Sequence, residues 1–167
     1  MPVAAGKAVS ESLQLFLRVK HPGIDPDEIS RTFDLHPEYA NKAGVTVTAS
    51  GVKKLYSESY WLASLPLRSI QEIALQISQK EPFSPTADSL STRLRSLRLG
   101  HETGIAGMQV IFSLRTLDAQ SGFIKRIIGE GGSVTLVLQR ADRDVPFSVS
   151  PLLSRRLADL EIGLEID

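Results

Sequence analysis

The sequence predicts an α+β domain: a two-layer sandwich in which a mixed, mostly antiparallel sheet carries helices mainly on one face. Three observations predict it. Period-two apolar alternation recurs along the chain, from Leu13, Leu15, Leu17 and Val19 to Leu160, Ile162, Leu164 and Ile166. Between these stretches lie others with helical spacing, such as Leu153, Leu157 and Leu160. A chain of 167 residues, 42% of them hydrophobic, is also long enough to bury one core without disulfides or metals. The element order reads β-α-β-β-α-α-β-α-β-α-β, which suits a sheet covered by helices.

The first ten residues, "MPVAAGKAVS", read as a loose lead-in rather than a signal peptide, and residues 11–167 as one domain. The opening strand follows. Asp25 then has the chemistry of a helix N-cap, Pro26 suits the first helical position, and Glu28 sits where a capping box places its acid. His36-Pro37 is expected to end that helix. "GVTVTASGVKKLYSESYWLASL" reads as a hairpin turning at Ser50-Gly51, with its second strand over Leu55–Leu65, stopped by Pro66.

Ile70, Ile73, Ala74 and Ile77 mark one helix, and Leu90, Leu94 and Leu97 another, separated by the proline-bearing "EPFSPTADS". "GHETG" (residues 100–104) is expected to be a loop, and Met108, Val110, Phe112 and Leu114 a strand. Phe123, Ile124, Ile127 and Ile128 suggest a short helix stopped by the glycines of "GEGG". Val134, Leu136 and Leu138 alternate as a strand. Ser150 and Pro151 then start a helix that runs into the terminal strand. A strand so regular is expected to pair within the sheet. Beside the first strand it would set Arg18 and Lys20 against Glu161 and Glu165. "LQLFLRV…DPDEISRTF" and "VTLVLQR…SPLLSRRL" share one layout, a strand, a loop and a helix begun by a capped proline.

The charge balance argues against two classes of partner. With 19 acidic and 19 basic side chains there is no basic excess of the kind nucleic-acid binding needs. No apolar run approaches the ~20 residues that span a bilayer. An RNA-binding sheet would also need stacked aromatics on its central strands. The absence of cysteine rules out disulfides and thiolate metal sites, and fits a cytoplasmic protein.

No catalytic set stands out, and no cofactor or metal is expected. His21, Asp25 and Asp27 lie close enough in sequence to suggest a metal site, but a capping Asp25 and a first-turn Asp27 account for both acids. His101 and Glu102 are adjacent, so their side chains diverge in most conformations. "GEGG" follows a helix, whereas a phosphate-binding loop precedes one. Ser148 and Ser150 lack the G-x-S-x-G elbow. Arg93, Arg95 and Arg98, like Lys125, Arg126, Arg155 and Arg156, read as solvated helix faces. Tyr56 and Tyr60 share one strand face, with Trp61 pointing the other way into the core; exposed tyrosines mark interfaces.

The opening strand, "DPDEI", "LHP", Gly44, "YWLAS" and "SPLLSRRLADLEIGLEID" together resemble a mostly bacterial family, domain of unknown function 4279. Members often have glycine where Asp34 stands, and this chain is longer between Pro82 and Gly132. The resemblance implies fold rather than activity. Some relatives look like immunity proteins, which bind and block a toxin.

The expected function is therefore a non-enzymatic module binding a protein or small molecule, with contacts from Tyr56, Tyr60 and His21; a homodimer is compatible with it. The alternative is an enzyme whose site assembles from His21, His36, His101, Asp25 and Glu58.

Overall fold

Strand β1 (Leu13–His21) is the middle of a five-stranded sheet, between β5 (Ser59–Leu65) and β6 (Ser133–Arg140), with β2 (Pro37–Asn41) beyond β5 and β7 (Gly163–Ile166) beyond β6. The computed structural model describes residues 13–78, 100–141 and 147–167. The elements that follow β1 are α1 (Pro26–Phe33), β2 (Pro37–Asn41), β3 (Thr46–Ala49), β4 (Val52–Leu55) and β5 (Ser59–Leu65). Then come α2 (Ile70–Ser78), α3 (Gly100–Leu114), a 3-10 segment (Arg115–Gln120), α4 (Ser121–Gly129), β6 (Ser133–Arg140), α5 (Pro151–Leu160) and β7 (Gly163–Ile166). The sheet is antiparallel except for the β6–β7 pair, and β3 and β4 form a separate two-stranded sheet. The α+β class and the mostly antiparallel mixed sheet are as the sequence predicts.

The alternation of β1 sets the two faces. Leu13, Leu15, Leu17 and Val19 are buried, and so are Trp61, Ala63 and Leu65 of β5 and Val134, Leu136 and Leu138 of β6. Residues paired across an antiparallel ladder share a face, so these form one apolar layer. Ile29 and Phe33 of α1, Ile124 and Ile127 of α4, and Leu153, Leu157 and Leu160 of α5 join it in one core. Area removed from water at about 25 cal/mol per Å² is the main force holding the layers together.

The helix ends follow the chemistry read from sequence. The Asp25 carboxylate accepts from the Asp27 amide at 3.0 Å, and Ser150 Oγ accepts from the Leu153 amide at 3.2 Å. Glu28 does not close the capping box; it pairs with Arg126 of α4 and so links two helices. A reciprocal box forms instead at α2, where Ser69 Oγ accepts from the Glu72 amide and Glu72 Oε2 accepts from the Ser69 amide. The "GEGG" stop is a Schellman turn, with Gly131 left-handed at φ 86° and Gly132 N–H donating to Ile127 O at 2.8 Å.

Several expectations are corrected. "GHETG" and the Met108–Leu114 stretch are one helix, α3, not a loop and a strand. A further strand, β2, pairs with β5 at the sheet edge and has no alternating pattern from which it could be read. The single strand expected over Leu55–Leu65 is two, broken at residues 56–58. The terminal strand starts at Gly163, because Leu160 still belongs to α5, and it lies beside β6 rather than β1. The lead-in, the helix expected around Leu90–Leu97 and the "EPFSPTADS" segment lie outside the described residues.

Candidate binding site

The face of β1 opposite the core carries Arg18 and Lys20, and Tyr60 is the register partner of Lys20. Trp61, one residue on, is fully buried, and its Nε1 donates to Ser30 Oγ at 2.9 Å. β2 adds its residues to the same edge: Asn41 is paired with Tyr60, and Tyr39 with Leu62. The Tyr39 and Tyr60 rings meet edge to face, 5.6 Å between centroids and 69° between planes. The break between β4 and β5 brings Tyr56 to the same place, its hydroxyl 3.2 Å from that of Tyr39. The chain has three tyrosines, and all three converge here.

Polar groups complete the surround. Lys54 Nζ lies 5.4 Å from the centroid of the Tyr56 ring. Asn41 Nδ2 donates to Glu58 O at 3.1 Å, which fixes the turn into β5. With Leu55 and Ser57 these residues line an open cleft of about 310 Å³. The hydrogen bond to Tyr56 raises the Tyr39 phenol above its ordinary range. Aromatic faces, phenol hydroxyls, one ammonium and one carboxylate give a surface of balanced charge suited to recognition.

Tyr56 and Tyr60 thus line one cleft, though Tyr56 lies in the break before β5 and not on the single strand that the sequence suggests. His21 stands apart. It is paired with Ser59 on the core face of the sheet and is only 7% exposed. Its Nδ1 accepts from the Gly23 amide at 3.0 Å and the Ile24 amide at 2.8 Å, and its Nε2 faces Glu130 Oε2 at 3.1 Å. With Nδ1 an acceptor, the proton of the neutral ring sits on Nε2. The ring is the keystone of the 22–24 turn.

The acids of the enzyme alternative are engaged separately. Asp25 holds Lys42, which together with the Asp27 amide lowers its carboxyl below the usual range. Glu58 lies 4.0 Å from Lys20. His36 is exposed in the turn before β2, and His101 belongs to α3, its side chain outside the described set. Among the described residues no three His, Cys, Asp or Glu side chains gather to hold a metal, and no helix is long and apolar enough to cross a membrane.

Tyr39 is the residue that sequence reasoning missed. Its strand lacks alternation, but "PEYAN" holds the one tyrosine not already assigned to a strand face. Comparison with known proteins returns no match: no family model, no curated protein and no solved structure is similar to this chain.

Proposed function

We propose that the domain is a non-enzymatic binding module that grips a segment of a partner protein in the cleft formed by Tyr39, Tyr56 and Tyr60. The observation that carries this reading is the convergence of all three tyrosines in one open cleft. Tyrosine supplies large, rigid contact area with only two side-chain torsions to fix, and a hydroxyl that hydrogen-bonds a main chain. Such residues dominate interface energetics when they are surrounded by near-neutral contacts. An open cleft suits a chain lying across it better than a small molecule, which is usually enclosed over most of its surface.

The test compares tagged wild type with Tyr39→Ala and Tyr60→Ala, captured from native cells at native abundance. The expected result is a stoichiometric protein that co-purifies with wild type and is lost from both variants, while their unfolding midpoints stay near that of wild type. Equal recovery by the variants overturns the reading.

We also read the chain as a relative of the domain of unknown function 4279 family. Supporting this, Asp34 adopts φ 53° and ψ 43°, a backbone state that glycine holds most readily and the position where family members often carry it.

A further inference from the structure

Eight large hydrophobic side chains among the described residues are exposed, and five of them lie between Tyr39 and Leu55. They belong largely to the β3–β4 hairpin. Its turn is well made: Ser50 and Gly51 are both left-handed, at φ 51° and 78°, as a two-residue type I′ connection requires. The Gly44 amide to Tyr56 O bond at 2.8 Å extends the ladder beyond the two strands. One face then carries Val45, Val47, Ala49 and Val52, with Lys54 and Tyr56. That alternation specifies a buried face, yet every residue of β3 and β4 is exposed, Val52 at 67%. A two-stranded hairpin is marginal in water unless one face is covered.

The hairpin is also wholly basic. From Lys42 to Ser57 the charged residues are Lys42, Lys53 and Lys54, with no acid. Lys42 is held by Asp25, but Lys53 and Lys54 make no ion pair among the described residues. The far end of the sheet is the reverse. From Leu157 to Asp167 the charges are Asp159, Glu161, Glu165 and Asp167, with no base. Among the described residues β7 is an edge strand, bonded to β6 alone, and Ile166 on it is 39% exposed. Glu165 is taken by Arg18, whereas Glu161 and Asp167 have no ion pair among the described residues.

We propose that the basic hairpin of one molecule docks on the acidic β7 edge of a second copy. A neutral chain here carries two unlike patches, each with exposed aliphatic side chains and a strand edge that is unpaired among the described residues. Strand-edge addition joins such edges through main-chain hydrogen bonds. Opposite charge sets the pairing: hairpin to hairpin would oppose lysines, and β7 to β7 would oppose carboxylates. The hairpin leaves the sheet between β2 and β5, at the edge opposite β7. The contact is therefore head to tail, linking successive copies rather than closing on a two-fold axis. Two short strands bury little area, so assembly is weak and concentration-dependent.

Sedimentation equilibrium of the whole chain tests this. The mass of wild type is expected to rise with concentration at about 0.01 M ionic strength and to fall back toward the monomer at about 1 M, where the Debye length shrinks from about 30 Å to about 3 Å. Two charge-reversed forms, Lys53→Glu with Lys54→Glu and Glu161→Lys with Asp167→Lys, should each lose self-association by at least about tenfold. Circular dichroism checks that each is folded, and Lys53→Gln with Lys54→Gln replaces the first form if it is not. Mixing the two reversed forms should restore association, since each hairpin again meets an edge of opposite charge. A wild type that stays monomeric at low salt, reversed forms that associate like wild type, or a mixture that stays monomeric would each overturn the proposal.

Discussion

Arg18 on β1 and Glu165 on β7 form a forked ion pair across the strand that separates them. Arg18 Nη1 donates to Glu165 Oε1 at 3.0 Å, and Nη2 to Oε2. Between them lies β6, with Thr135 opposite Arg18 and Val137 opposite Glu165. Of the charges that the sequence sets against each other, Arg18 and Glu165 meet, through the reach of an arginine rather than by direct neighbourhood, while Lys20 lies by Glu58. The Arg18–Glu165 pair fastens β7 to the middle of the sheet, and a bidentate fork is the geometry in which an ion pair holds best.

The consequence is a pH dependence of known sign. The Arg18 hydrogen bonds hold the Glu165 carboxyl below the ordinary value of 4.5. A carboxyl lowered in the folded state stabilises above its unfolded value, and that contribution disappears as pH falls through the folded one. Glu165→Gln should therefore be less stable than wild type at neutral pH. The difference should narrow between about pH 5 and pH 2, followed by urea unfolding at each pH. A difference that stays constant across that range would mean the pair contributes nothing through its charge.

Gly132 shows where the chain cannot tolerate a side chain. A Cβ there would lie 2.7 Å from Lys20 O, 2.8 Å from His21 Cδ2 and 2.8 Å from Ile127 Cγ2. Gly132→Ala forces α4 away from the end of β1, and should cost about 1–3 kcal/mol as an overpacked site does. Gly129 is the control, because a Cβ added there would meet nothing within 4 Å. Gly129→Ala, within a helix, should be neutral or stabilise by up to about 1 kcal/mol. Denaturant midpoints of the two variants should move in opposite directions or differ clearly in size.

His21 anchors the turn into α1. Replacing it with phenylalanine keeps a ring and leaves the Gly23 and Ile24 amides without their acceptor. The expected loss is about 1–3 kcal/mol, the cost of leaving the buried Ile24 amide unpaired, since Gly23 is exposed and its amide can turn to water. His21→Asn puts an acceptor oxygen near the position of Nδ1 and should recover part of that loss. Hydrogen exchange at Ile24 is the direct reading: its amide should exchange faster in the phenylalanine variant than in the asparagine one.

What was legible in the sequence divides along one physical line. β1, α1, α4 and α5 each have one buried face, and β6 keeps its inward alternation although Val137 on its other face is buried as well, so their apolar residues carry a period. Helix α3 does not, because Gly107–Leu114 is buried on every side. There Met108, Val110, Phe112 and Leu114 alternate with Gln109 and Ser113, polar residues that are buried as well. Gln109 Nε2 donates to Arg68 O at 3.0 Å and Ser113 Oγ accepts from the Arg68 amide at 2.9 Å, serving the chain that enters α2. Polar side chains placed to satisfy a neighbour's backbone imitated the outward face of a strand. β2 failed for the opposite reason, since its residues are at most half-buried and bear no pattern. With β2 unseen, Tyr39 could not be placed beside Tyr60, and only two of the three cleft tyrosines could be named.

Two helices end on residues that carry avoidable strain. α1 stops at Asp34 and α5 at Glu161, both left-handed, at φ 53° and 57°. In each case the next amide closes a Schellman-type bond, Leu35 to Ser30 O at 3.2 Å and Ile162 to Leu157 O at 2.9 Å. The turn geometry is thus imposed by the chain reversal, not chosen by the residue. A side chain in this region costs about 1–2 kcal/mol, less for aspartate, which tolerates it. Glycine removes that strain but adds freedom to the unfolded chain, which offsets part of the gain. Glu161→Gly should raise stability by about 0.5–1 kcal/mol and Asp34→Gly by less, measured by thermal unfolding at neutral pH. The order matters more than the sizes: a larger gain at Asp34 than at Glu161 would contradict strain as the cause.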